Sequence, residues 1–154
     1  EESVKPLIEV ETHISSEYAP DDEIKIEIHK LINNINSKDD IDKLIKTLKD
    51  RFGKVTDEMI VYMHEEWFEK QAKCLDITQI KQTKTYVEIV LPQYLSKEID
   101  GEKLFFSAYE ISKYFRFSYT NNQIHIILDT IKLNKHFVYY LNDLLDVIIK
   151  DVKK

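Results

Sequence analysis

The chain has 154 residues, 43% hydrophobic and 32% charged, and 28 acidic against 22 basic side chains leave a formal net charge of -6. That length makes one domain or two small ones, and the apolar content can fill a core. The charge excludes a large electrostatic affinity for nucleic acid from this piece alone, and the single cysteine, Cys74, excludes an internal disulfide and fits a reducing compartment.

No apolar run approaches the ~20 residues of a membrane span, and the opening residues lack a secretory signal pattern. We therefore expect no membrane association and a cytoplasmic location. The chain begins at Glu1 rather than at a methionine, which leads us to expect a fragment of a larger protein.

After irregular residues 1–4, Leu7, Ile8, Val10 and Ile14 alternate imperfectly and predict an edge strand. Residues 15–20 read as a turn, with Pro20 opposing helix just before it. Asp21, Asp22 and Glu23 suit the first turn of a helix, where negative charge meets the positive end of the dipole. Ile24, Ile28, Leu31 and Ile35 form the apolar face of that helix, widened by Ile26 and Ile32.

The segment SKDDIDKLIKTLKDRFGKVT, residues 37–56, is a complete helix with both ends marked. Ser37 and Asp40 have capping-box spacing. Ile41, Leu44, Ile45, Leu48 and Phe52 make its apolar stripe. Gly53, one of only two glycines, stands where a left-handed C-cap is needed. Thr56 caps the next helix, with Val55 and Ile60 placed as a hydrophobic staple. That helix runs to about Leu75 with Ile60, Met63, Trp67, Phe68 and Leu75 on its apolar face. Glu66 with Lys70 and Glu69 with Lys73 are spaced for surface ion pairs. Trp67 is a core residue or the anchor of a protein contact.

Beyond Asp76 the character changes. Ile77–Ile80 and Thr85–Leu91 predict strands, the second ended by Pro92, and 93–100 a loop or short turn. Gly101 opens a helix carrying Leu104, Phe105, Ala108, Ile111 and Tyr114. Phe115, Phe117 and Tyr119, then Asn121-Asn122, then Ile124, Ile126 and Leu128 make a hairpin. Asn134 is a candidate N-cap for a last helix with Phe137, Tyr140, Leu141, Leu144, Leu145, Ile148 and Val152 as its stripe, closed by cations. The order is strand, three helices, two strands, helix, hairpin, helix: an α+β fold. We expect one domain over 1–154, with a helical half at about 15–76 and a mixed half at about 77–154.

Chemistry is sparse. Two glycines cannot build a phosphate loop, and His13, His29, His64, His125 and His136 lack metal-ligand spacing. No catalytic, cofactor or metal residue is assigned. Cys74 reads as a buried inert thiol. Glu65, Glu66 and Glu69 read as a helix exterior. The aromatics Phe105, Phe106, Tyr109, Tyr114, Phe115, Phe117 and Tyr119 are core packing, a protein-contact patch, or a base-stacking surface. The residues alone point to a domain built for contact, not catalysis.

Residues 7–80 resemble the C-terminal domain of bacterial transcription-repair coupling factors, the Mfd family. Thr12, His13, Ile14 and Ser15 stand where the family has an Ala-Tyr-Ile-Pro-like strand end. Tyr18, Asp21, Lys25, Ile26, His29 and Lys30 follow its Tyr, Asp and Arg-Leu-x-x-Tyr-Lys positions. Asp50, Arg51, Phe52 and Gly53 keep its Asp-Arg-Phe-Gly, while Thr56 replaces its proline. Helix three to Ala72 and Leu75 and the Ile77–Ile80 strand match in character; beyond that, only length and element order agree.

The resemblance implies a non-catalytic piece of an ATP-dependent double-stranded DNA translocase. In that family the motor, with its ATP and Mg, lies upstream, and the whole protein acts on stalled RNA polymerase and recruits UvrA. The C-terminal domain folds back on the N-terminal UvrB-like module of the same chain and masks the UvrA-binding surface. Two acidic family positions make that contact. One is Asp50; the other is Thr47, which is uncharged here. With Arg51 they form the candidate interface, and Phe52 and Gly53 the structural corner that presents it. Asp50 has a second reading, a local pair with Arg51 or Lys54. The alternative function is a nucleic-acid-contacting accessory module using the aromatic hairpin and C-terminal lysines. The fragment is expected to be monomeric.

Overall fold

The computed structural model describes Tyr18 and residues 21–152; the strand expected at Leu7–Ile14 lies outside them. The elements are helices α1 (Asp22–Asn33), α2 (Lys38–Phe52) and α3 (Asp57–Cys74), strands β1 (Gln79–Gln82) and β2 (Tyr86–Val90), helices α4 (Gln93–Glu98) and α5 (Gly101–Ile111), strands β3 (Phe115–Thr120) and β4 (Gln123–Asp129), and helix α6 (Phe137–Val152). The fold is α+β. Its residues group into two compact units, and the division falls inside α3, between Lys70 and Gln71, upstream of the composition change near 76.

In the helical unit each end is capped as its residues dictate. Asp21 accepts from the Glu23 N–H at 2.8 Å at the start of α1. Ser37 Oγ accepts from the Asp40 N–H at 3.1 Å. The return bond of that box lands one residue early, on the Asn36 N–H at 2.9 Å. Thr56 Oγ1 accepts from Met59 N–H at 3.2 Å and opens α3. Each such cap holds an otherwise orphaned donor and is worth about 1 kcal/mol.

Ile28, Ile32, Ile35, Ile41, Leu44, Leu48, Met59, Met63 and Trp67 share one core, with Ile24, Leu31, Ile45, Phe52 and Val55 at its margin. Trp67 is thus a core residue. Ile26 does not widen the face of α1: it is 54% exposed, because two residues along a helix is more than half a turn away from Ile24 and Ile28. Lys70 makes no surface pair of the expected kind. Its Nζ donates to the Asn33 carbonyl at 3.0 Å and to that of Ile35, satisfying carbonyls at the end of α1.

Gly53 has φ +87° and receives the end of α2, its N–H donating to Lys49 O at 2.8 Å. A Cβ there would meet nothing within 4 Å, so only backbone strain opposes a side chain. Gly53→Ala should therefore cost about 1 kcal/mol, and Gly53→Asn less, since asparagine tolerates the left-handed region. Urea melts of both variants check this; equal stability of all three chains would contradict it.

The mixed unit is built on an antiparallel sheet of order β1-β2-β4-β3. Asn121 and Asn122, at φ 56° and 62°, make the tight turn between β3 and β4. Phe115, Phe117 and Tyr119 pair with Leu128, Ile126 and Ile124 and so share their face of the sheet. Val87, Ile89, Ile124, Ile126 and Leu128 are buried with Leu104 and Ala108 of α5 and Val138, Leu141, Leu144, Leu145 and Ile148 of α6. Gln71 donates to the Asn142 carbonyl and side-chain oxygen at 3.1 and 3.0 Å, both residues being buried.

Two local expectations change. The 93–100 loop contains helix α4, whose Ser96 Oγ accepts from the Ile124 N–H at 3.0 Å. And α6 starts three residues after Asn134: the Val138 N–H donates to His136 Nδ1 at 3.1 Å, while Asn134 accepts from the Tyr140 hydroxyl. Burial holds the His136 pKa below its ordinary value, consistent with an unprotonated Nδ1 acting as acceptor.

Candidate functional site

Helix α2 turns Ile41, Leu44 and Leu48 inward, which leaves Thr47 and Asp50 exposed together, three residues apart on one outer face. The Thr47 hydroxyl bonds back to Lys43 O at 3.0 Å. Asp50 takes part in none of the ion pairs among the described residues. Its neighbour Arg51 is committed elsewhere. The guanidinium forks onto the Glu27 carboxylate at 3.0 and 3.4 Å and lies 5.1 Å over the Phe52 ring. The hydrogen bond and charge of each partner hold Glu27 below the usual carboxylate range and raise Arg51. Arg51 thus ties α2 to α1. The local Asp50–Arg51 pair is not formed, and Asp50 keeps its charge facing outward.

Phe52 is half-buried, packed on the margin of the core with the Tyr18 ring 5.3 Å away. Full burial would make Phe52→Ala cost ~3–5 kcal/mol; at half burial we expect about 2 kcal/mol, readable as a lower urea midpoint at unchanged slope. A neutral result would mean that the corner is not packed around this ring.

Three expectations about chemistry are corrected. Cys74 is exposed, not buried, because it falls on the outer side of the last turn of α3, between buried Ala72 and Leu75. Glu65 is buried at 4% exposure. Burial first, then the neighbouring Glu66 and Glu69 charges, push its carboxyl up to about 7. Nor are the aromatics mainly core: Phe115 is buried, but Phe105, Phe106, Tyr109 and Tyr119 are 49–63% exposed. Helix α5 turns Leu104 and Ala108 inward, and that leaves its aromatics, Phe105, Phe106 and Tyr109, outside.

No group of histidine, cysteine and carboxylate side chains among the described residues is arranged to hold a metal. No described helix is long and apolar enough to cross a membrane. Among the described residues, Lys103 of α5 is paired with Asp151 and Lys150 of α6 with Asp146, each at 2.9 Å. Duplex DNA should accordingly bind the isolated chain no tighter than about 1 μM at ~150 mM salt. A sub-micromolar dissociation constant in a fluorescence-anisotropy titration would contradict that.

The model of the TRCF domain family matches residues 8–102. The chain belongs to the TRCF-domain family. This TRCF domain is 24% identical over 149 residues to the transcription-repair-coupling factor of Bacillus subtilis (strain 168), covering 96% of the chain and 12% of the relative. To that of Staphylococcus haemolyticus (strain JCSC1435) it is 23% identical over 132 residues, covering 83% and 11%. The chain therefore spans about a ninth of the length of these curated relatives. Its fold matches a crystal structure of the C-terminal domain of transcription-repair coupling factor with a TM-score of 0.74 at 15% identity, over 95% of this chain and 91% of that one.

Proposed function

We propose that this TRCF domain is an autoinhibitory clamp within a transcription-repair coupling factor. It docks on the N-terminal UvrB-like module of the same chain and masks the surface that binds UvrA. The motor that uses ATP and Mg, the RNA polymerase contact and the double-stranded DNA contact belong to the rest of that protein, in the cytoplasm. The observation that carries this reading is the outward carboxylate of Asp50 beside Thr47, with Arg51 drawn away to Glu27. A rigid helix face thereby offers one negative charge to a cation on the partner module. Tethering raises the effective concentration, so one modest contact suffices.

The direct test is binding of this 154-residue chain to the isolated N-terminal module by calorimetry. Asp50→Arg should abolish measurable binding, and Thr47→Glu, which supplies the second charge, should tighten it by about tenfold. Identical affinities for all three would contradict the assignment of this face.

A further inference from the structure

We propose that the aromatic, carboxylate-edged face of α5 and β3 is a second docking surface, and that its occupant is an arginine-bearing segment of a partner protein. Glu102, Phe105, Phe106, Tyr109 and Glu110 lie at spacings of three and four along α5, so they share the face opposite buried Leu104 and Ala108. Phe105 meets Phe106 at 5.9 Å and Phe117 of β3 at 6.1 Å between ring centroids. Tyr119 continues that row two residues on. The covered face of the sheet thus runs outward from buried Ile126, past half-buried Phe117, onto rings that are about half exposed or more. Contiguous exposed apolar surface of this kind marks contact sites, unlike single scattered side chains.

The charge pattern selects the partner. Asp100, Glu102 and Glu110 line a groove with Phe106 and Tyr109; the Asp100 carboxylate caps α5, accepting from the Glu102 and Lys103 N–H groups at 3.0 and 3.2 Å, while Glu102 and Glu110 are exposed and enter none of the ion pairs among the described residues. The basic residue in the groove, Lys103, is held by Asp151 at 2.9 Å. Nearby Lys113 lies over the Tyr114 ring, and Arg116 forks onto Asp129. Uncompensated negative charge over π-faces fits a guanidinium, which can stack on a ring while its N–H groups fork onto a carboxylate; an ammonium does this less well. The same carboxylates repel phosphate. In a two-fold dimer this patch would face its own copy, like charge against like.

The test is NMR titration of the isotopically labelled chain with acetylated hexa-arginine amide, with hexa-lysine and a short oligothymidine in parallel. The proposal expects saturable shifts confined to residues 102–110 and 117–119, and about tenfold tighter binding of hexa-arginine than hexa-lysine. Phe106→Ser with Tyr109→Ser should abolish the arginine preference, and Glu102→Gln with Glu110→Gln should weaken both peptides. These positions are exposed, so the amide dispersion should stay native. Asp50→Arg should change none of this, which separates the surface from the α2 face. Equal binding of the two peptides with shifts spread over the whole acidic surface, oligothymidine binding at this face, or a dimer dissolved by the double serine variant would each overturn the proposal.

Discussion

Glu65→Gln should make the domain more stable than the parent at about pH 8 and leave it unchanged near pH 4. The parent carboxyl is buried and held at about 7, above its ordinary value of 4.5. The folded state therefore binds a proton that the unfolded chain has already released between those values. Stability is fully present below about 4.5, falls as pH rises, and levels off above about 7. The glutamine keeps the shape and removes the ionisation. We expect a gain on the order of 1–2 kcal/mol at about pH 8, below the full conversion of the shift because solvent and side-chain relaxation screen it. Glu66 is also raised, by burial ahead of the opposing Lys70 charge and the Glu69 charge, so a weaker slope in the same sense should survive. Urea melts across that range decide it. A variant that is less stable at every pH would mean that the carboxylate itself is needed in the fold.

Glu65 also shows where sequence reading stops. Its neighbours Glu66 and Glu69 read the same way, and only the packing around α3 distinguishes a buried carboxylate from a solvated one. The Arg51–Glu27 fork is hidden for a related reason: its partners are 24 residues apart. By contrast α2 was legible throughout, because Ser37, the Ile41–Leu44–Leu48 stripe and Gly53 are local signals that agree. The β3–β4 hairpin was legible for the same reason, its Asn121-Asn122 pair being suited to positive φ. Helix α4 was not, since six residues after a proline carry too little periodicity to separate a helical turn from a loop. The exposed rings on α5 could not be told from core side chains in the sequence, because apolar character predicts burial only one way. Of the candidate site, Asp50 and Thr47 came from the family resemblance; the freedom of the Asp50 charge became visible only once Arg51 was seen to be engaged by α1.

In the full-length protein, Asp50→Arg should increase the affinity for UvrA. The substitution places like charge against the proposed basic partner of the N-terminal module. Removing one member of a desolvated charge pair costs ~2–5 kcal/mol; with Thr47 in place of a second acid we expect the low end, some tens-fold in the closed-to-open ratio. Asp50 is exposed, so the fold should be intact. The decisive measurement is UvrA binding by the full-length protein, the Asp50→Arg variant and a chain ending just before residue 7. The clamp predicts that truncation gives the tightest binding and that Asp50→Arg moves most of the way toward it. Equal UvrA affinity for the intact and truncated proteins would contradict the mask altogether.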